Sequence, residues 1–159
     1  AHEASGATIG TVPYDIEIPD YAKSPFELSG VLLTSSNADS FVTSNPDPLL
    51  KDALPASPIA TRSFSPAETL TTYTELYVGS GAARAVTLMT SVQDARDGRT
   101  VFQAQDRRAI DSSARPLTHG FSTEVPLKNL SSGTYILRVA AQSSVDGYAA
   151  ERAVPFEVR

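Results

Sequence analysis

The sequence predicts an all-β protein built as an antiparallel sandwich. From residue 68 onward, apolar and polar residues alternate over short segments, which is the pattern of half-buried strands. Turn-forming pairs such as Asp97-Gly98 and Asp146-Gly147 separate these segments, and such pairs favour tight hairpins. No amphipathic helical pattern lies between them, so a sandwich is favoured over an alternation of strands and helices.

Composition and charge set the size of the protein and exclude several kinds of site. The chain has 159 residues, enough for one domain with its own hydrophobic core. It has no cysteine, which excludes disulfides, thiolate metal sites and cysteine nucleophiles. The net charge of −5 disfavours polyanions as partners, so we expect no nucleic-acid binding. No apolar run is long enough to cross a bilayer, so we expect no transmembrane segment.

The first 34 residues predict an arm that packs on the sandwich. Residues 1–11 are small and polar, which predicts a flexible lead-in. Val12 to Ile18 alternates between apolar and acidic residues, as a half-buried strand does. Leu28 to Thr34 is apolar enough for a strand buried on both faces. We therefore assign residues 12–159 to one domain, with 12–34 as packed arm strands.

Residues 35–67 predict a long connection rich in Pro and Ser. Loops of this length are uncommon in compact domains. Asp47 and Pro48 suit the start of one or two helical turns that end at Leu54. We expect the leucines of this segment to hold that turn against the domain, while much of 35–60 runs over the surface.

The remaining strands follow from apolar alternation bounded by turn residues. Gly79-Ser80-Gly81 predicts the first turn of this region. The predicted strands are 70–78, 85–92, 99–107, 121–127, 135–141 and 154–158.

Leu130, Gly133 and Tyr135 form an L-x-x-G-x-Y motif immediately before a predicted strand. In Greek-key sandwiches a tyrosine at such a corner donates its hydroxyl to upstream backbone, and Gly133 would supply a turn that side chains resist. The alternative is an ordinary loop followed by a strand tyrosine. The motif favours an immunoglobulin-like or fibronectin type III-like sandwich.

In order along the chain, four stretches resemble the C-terminal β-sandwich region of bacterial secreted proteins described as VWFA-related. They are 18–21 with 28–33, 62–64 with 68–70 and 73–77, 97–102, and 130–133 with 135–139 and Ala141. The resemblance implies a sandwich that follows an adhesion-type domain, in an extracellular, periplasmic or cell-envelope protein. The D-x-S-x-S metal signature of that upstream domain is broken here at Asp111–Arg115, so metal-dependent adhesion is not carried over.

Few residues suit catalysis or metal binding. A serine hydrolase needs a serine, a histidine and an acid that converge, and the histidines are His2 and His119. Two separated histidines without cysteine also make a poor zinc site. Calcium needs oxygen ligands only, but no full loop pattern of ligands appears, so turn acids and a solvated strand face are favoured. The acids considered are Asp15, Glu17, Asp20, Asp94, Asp97 and Asp106. We expect no catalytic residue, cofactor or metal.

Aromatic residues leave two function classes open. Tyr21, Tyr73, Tyr77 and Tyr148 form a candidate surface-binding patch, although strand aromatics more often supply packing area. The first class is a non-catalytic structural or protein-interaction module of a larger secreted or cell-envelope protein, whose partners are other domains of that protein or separate proteins. The alternative is a ligand-binding module for carbohydrate or peptide. A concave aromatic patch would favour the second class.

Overall fold

The computed structural model describes residues 20–21, 24–40, 50–79, 85–110, 118–144 and 147–159. Within these ranges the protein is all-β, with two facing sheets, which confirms the predicted sandwich. The lead-in 1–11 and the predicted strand 12–18 lie outside the described residues. The strands are β1 Phe26–Leu28, β2 Leu32–Ser35, β3 Ser63–Phe64, β4 Thr69–Val78, β5 Ala85–Asp94, β6 Thr100–Ala109, β7 Thr118–Pro126, β8 Gly133–Ser143 and β9 Ala149–Val158.

The smaller sheet is organised around β4. Strand β7 pairs antiparallel with β4 along residues 69–77. Strands β1 and β2 pair antiparallel with β4 at residues 76–78 and 70–73. Because β7 occupies one edge of β4 and a strand has two edges, β1 and β2 share the other. The larger sheet has the order β3-β9-β8-β5-β6.

The predicted single strand Leu28–Thr34 is wrong in one respect, because it is two short strands separated at residues 29–31. Ser29 explains the interruption. Its backbone N–H donates to the carbonyl oxygen of Glu75 at 2.8 Å, and its hydroxyl accepts from the Glu75 N–H at 2.9 Å. A side-chain oxygen thus takes the place of a backbone acceptor, and the edge strand bulges there.

The Pro- and Ser-rich connection is anchored to the sandwich and contains a strand that the sequence did not predict. Leu54 and Ile59 are buried, and the Ile59 N–H donates to the carbonyl oxygen of Leu33 at 2.9 Å. Strand β3 then pairs parallel with β9. The connection therefore carries the chain from the smaller sheet to the larger one. The predicted helical turn is described from Leu50, whose carbonyl accepts from the Leu54 N–H; Asp47 and Pro48 lie outside the described residues.

The core consists of two apolar clusters separated by threonines. Leu70, Val92, Val125 and Leu137 belong to one cluster, and Leu76, Leu88, Phe121 and Val139 belong to the other. Between them, the inward positions of β4, β5 and β7 are threonines: Thr72, Thr74, Thr90 and Thr123. The Thr90 and Thr123 hydroxyl oxygens lie 3.1 Å apart, across the space between the sheets. We call these four residues the threonine belt.

Candidate functional site: a tyrosine face on the smaller sheet

Alternation along β4 places Tyr73, Glu75 and Tyr77 on the outer surface of the smaller sheet. The intervening residues, such as Thr74 and Leu76, are buried. Because successive side chains of a strand point to opposite faces, the burial of Thr74 and Leu76 fixes the other three outward. All three outward side chains are half-buried, so they form a partly enclosed surface.

Glu75 joins the two tyrosines of β4. The Tyr73 hydroxyl donates to Oε1 of Glu75 at 3.2 Å, and the Tyr77 hydroxyl donates to Oε2 at 2.8 Å. Each carboxylate oxygen of Glu75 therefore accepts a hydrogen bond from one tyrosine hydroxyl. Hydrogen bonds to an ionised acceptor are among the stronger ones in proteins, so the carboxylate fixes the position of both rings.

Tyr21 extends this surface. Its ring stacks on the ring of Tyr77, with centroids 4.5 Å apart and planes 8° from parallel. We call Tyr21, Tyr73, Glu75 and Tyr77 the tyrosine face. Tyr148 does not join it, because its ring stacks on Phe26 at 6.3 Å and is 40% exposed. The structure therefore brings together three of the four tyrosines considered from the sequence.

Gly120 of β7 makes room for Tyr73. A Cβ atom at Gly120 would lie 2.6 Å from the Tyr73 hydroxyl oxygen and 2.9 Å from a ring carbon. The Tyr73 ring thus lies directly against the backbone of the neighbouring strand. The sequence offered no signal for this role, since Gly120 shows only as a small residue beside His119.

Negative charge dominates the electrostatics of the tyrosine face. The hydrogen bond to Glu75, followed by burial and the Glu75 charge, raises the pKa of Tyr77 to about 12. Burial, followed by the charge of Glu75 and the hydrogen bond to it, raises the pKa of Tyr73. Among the described residues, no Lys or Arg contacts Glu75. The nearby Glu27, by contrast, is paired with Arg152 at 2.7 Å.

A cavity of about 390 Å³ lies at one end of the same outer surface. Thr69 and Thr71 of β4 and Glu124 of β7 contribute to its wall, and Asp39 contributes from the connection. Thr71 is opposite Glu124 in the sheet, two residues along β4 from Tyr73. The cavity therefore continues the tyrosine face with hydroxyl and carboxylate groups.

The histidine considered for catalysis points into the sandwich. His119 is opposite Leu76 in the sheet, and its Nε2 is buried with no hydrogen-bond partner in the described part of the chain. A triad base must be bonded to an orienting acid, and that bond is missing within the same residues. His2 lies outside the described residues.

Two of the acids considered for calcium, Asp94 and Asp106, are paired with arginines. Asp94 is buried, and its two oxygens accept from Arg96 at 2.7 to 3.1 Å. These hydrogen bonds lower the pKa of Asp94 to about 2. Asp106 is paired with Arg108. The described ranges contain no group of three or more potential metal ligands, and Asp15 and Glu17 lie outside them.

Tyr135 is buried at the start of β8. Its hydroxyl donates to the carbonyl oxygen of Ser131 at 2.8 Å, while the N–H of Leu130 donates to the carbonyl of Leu127 at 2.9 Å. Gly133 begins the strand. The contribution of this corner to stability stays a prediction.

Comparisons with known proteins support the fold. No family model matches the sequence, and no curated protein does. A calcium-binding mutant of β-glucuronidase 2 from Bacteroides uniformis matches the structure with 10% identity and a TM-score of 0.50, covering 81% of this chain and 14% of that chain. At this identity the likeness shows the fold alone. The proposed kinship with VWFA-related proteins stays a prediction.

Two further solved structures have lower scores. A glycosyl hydrolase family 2 member from Bacteroides cellulosilyticus has 16% identity and a TM-score of 0.48, with 85% of this chain and 15% of that chain covered. A β-glucosidase from Listeria innocua has 15% identity and a TM-score of 0.45, with 99% and 20% covered. The chain thus spans 14% to 20% of the length of these proteins. Across the described residues, no helix has the length and apolar character needed to span a membrane.

Proposed function

We propose that this chain is a non-catalytic interaction module of a larger protein, and that it docks a neighbouring domain of that protein on the tyrosine face. The observation that carries the proposal is the joining of Tyr73 and Tyr77 by Glu75 on the outer surface of a sheet. The similar folds, which form a small share of larger chains, agree with a modular role. The expected extracellular or periplasmic location is part of the same proposal.

The chemistry of the tyrosine face suits a protein interface. Tyrosine is enriched at interfaces because it combines a large apolar ring with a polar hydroxyl. Binding costs free energy when mobile side chains must be ordered. Here Glu75 already holds Tyr73 and Tyr77, and Tyr77 stacks on Tyr21. The face therefore offers aromatic area whose ordering cost has largely been met by folding.

Chain connectivity favours a neighbouring domain as the occupant. Tyr21 directly follows residues 1–20 in the sequence, so a domain attached upstream would be tethered beside the face. A short tether raises the effective concentration of the attached partner, to the millimolar range for flexible linkers. Docking can then occur with a modest interface.

Cysteine labelling tests the proposal, because the chain has no cysteine of its own. Ser122→Cys places a thiol on exposed β7, opposite Tyr73. Gln105→Cys is the matched control. Gln105 is exposed on β6 of the larger sheet, where it lies opposite Met89 of β5. In the complete gene product, a maleimide should modify the thiol at position 122 much more slowly than in the isolated 159-residue chain, whereas the thiol at position 105 should be equally reactive in both. Equal rates at position 122 would refute docking on this face.

One observation favours the second candidate, a ligand-binding module. The cavity beside the tyrosine face carries hydroxyl groups and the carboxylates of Asp39 and Glu124, which suit the hydroxyl groups of a saccharide. Titration with neutral oligosaccharides, followed by amide NMR, tests this candidate. Saturable shifts at Thr69 and Thr71 that disappear in Glu124→Gln would support it, and unshifted spectra would exclude it.

A further inference from the structure

We infer that the tyrosine face recognises an arginine side chain of its docking partner, through the carboxylate of Glu75 and the ring of Tyr73. The inference rests on the proposed function and specifies the partner's chemistry. It starts from the charge of Glu75. This carboxylate is half-buried, and no Lys or Arg of the described residues contacts it.

Docking would remove water from the half-buried carboxylate of Glu75, and a carboxylate without water needs a cation or several strong donors. Glu75 has two phenol donors, which stabilise the charge without cancelling it. Each of its oxygens keeps lone pairs for another donor. Among the described residues, the negative charge of Glu75 therefore has no cationic partner at the centre of the face.

The surroundings of Glu75 strengthen its preference for a cation. The faces of the tyrosine rings carry negative potential and attract cations. Glu124 lies on the same outer surface, and among the described residues it has no cationic partner either. Arg152 is already engaged, since it donates to Glu27 and to the carbonyl oxygen of Leu28, both at 2.7 Å.

Arginine fits this arrangement better than lysine. A planar guanidinium can donate two parallel hydrogen bonds to one carboxylate and can stack on an aromatic ring at the same time. Glu75 supplies the carboxylate, and Tyr73 supplies a half-buried ring that is fixed against Gly120. A lysine ammonium is a compact charge without a stacking plane.

The experiment is an amide NMR titration of the 159-residue chain at constant ionic strength. The probe is N-acetyl-arginine methylamide; the lysine and norleucine analogues are the charged and neutral controls. We expect saturable shifts at residues 73–77 and Gly120 with the arginine probe, weaker shifts with lysine and none with norleucine. Equal shifts with arginine and lysine would overturn the assignment to arginine, and equal shifts with all three would overturn cation recognition.

Variants separate charge from structure. Glu75→Gln should raise the dissociation constant of the arginine probe at least roughly five-fold, because a charge-assisted pair is lost. Glu124→Gln is the control on the same surface and should change it less. Tyr73→Phe keeps the ring and should retain binding, whereas Tyr73→Leu should lose it. Unchanged binding in both Glu75→Gln and Tyr73→Leu would refute the site.

The result can be told apart from the test of docking. Slow labelling of the thiol at position 122 in the complete gene product, together with no arginine recognition, would leave docking intact and remove this inference. Arginine recognition without protection of that thiol would refute docking of a neighbouring domain and leave the arginine site on the tyrosine face.

Discussion

The guanidinium carbon of Arg108 lies 4.6 Å from the centre of the Phe121 ring, and the same guanidinium donates to the carbonyl oxygen of Gly120 at 3.2 Å. Arg108 belongs to β6 of the larger sheet and Phe121 to β7 of the smaller one. The contact therefore joins the two sheets at one side of the sandwich and covers a buried core ring.

Arg107 precedes Arg108 in the sequence, but the contact with Phe121 belongs to Arg108. Arg108→Ala should lower the free energy of unfolding by about 1 kcal/mol, the scale of a cation–π contact. Arg107→Ala is the matched control, since Arg107 is exposed, and surface substitutions typically change stability by less than about 0.5 kcal/mol. Urea denaturation measures both. Equal effects of the two substitutions would show that the contact with Phe121 contributes nothing.

The hydroxyl of Tyr135 should stabilise the loop before β8. Tyr135→Phe removes the hydrogen bond to Ser131 and leaves a carbonyl without that donor, so we expect a loss of about 1 kcal/mol. Tyr148→Phe is the control, because Tyr148 is 40% exposed. Chemical denaturation compares the two. An unchanged midpoint for Tyr135→Phe would remove the predicted role of the corner.

The alkaline titration of Tyr77 reports on Glu75. The pKa of Tyr77 is raised from 10.0 to about 12, so the folded state favours the protonated phenol. The contribution of Tyr77 to the free energy of unfolding is therefore fully present below about pH 10 and is lost as the pH rises toward 12. Glu75→Gln should lower the pKa of Tyr77 and shrink this loss. NMR of isotopically labelled tyrosine measures the pKa, with Glu124→Gln as the control. A Tyr77 titration that does not move in Glu75→Gln would contradict the geometry.

A methyl group at position 120 should displace Tyr73 without unfolding the sheet. Gly120→Ala places Cβ 2.6 Å from the Tyr73 hydroxyl, and the end of a side chain can move away. The bond from Tyr73 to Glu75 should break, and the raised pKa of Tyr73 should fall. Gly30→Ala is the matched control, since no atom lies within 4 Å of the added Cβ. Retention of the raised pKa in Gly120→Ala would mean that the ring does not lie against β7.

The ion pair between Asp94 and Arg96 should make the stability of the protein depend on pH in the acidic range. The pKa of Asp94 is lowered from 3.8 to about 2, so its contribution is present above about pH 4 and is lost as the pH falls toward 2. Asp94→Asn should flatten the stability profile over this range, whereas Asp97→Asn, at an exposed position in the same turn, should leave it steep. Denaturation midpoints across this pH range measure both variants, and equal slopes would argue against the pair.

Period-two alternation predicted the class of fold and most strands, because burial of one face imposes that pattern directly. The alternating residues Tyr135, Leu137 and Val139, for example, are all buried, as the pattern predicts. The break at Ser29 was not predictable, since it depends on a hydroxyl that meets Glu75 across the sheet. Strand β3 was missed because two residues are too few to show a period.

The candidate site was partly predictable. The identities of Tyr21, Tyr73 and Tyr77 were read from the sequence, because aromatic residues on strands supply either packing or binding area. The central role of Glu75 and the space at Gly120 depend on the register of β4 against β7. That register joins residues far apart in the sequence, and alternation within one strand carries no information about it.

The threonine belt has a consequence for how the two sheets align. Apolar contacts have no preferred direction, whereas a buried hydroxyl must meet a partner or lose its hydrogen bond. The bond between Thr90 and Thr123 is satisfied in one alignment of β5 over β7. A shift of the sheets by one inward position would break this bond and move Thr90 toward Phe121 or Val125, the apolar inward neighbours of Thr123 on β7. The threonine belt therefore favours one stacking of the two sheets among several that the apolar clusters alone would tolerate.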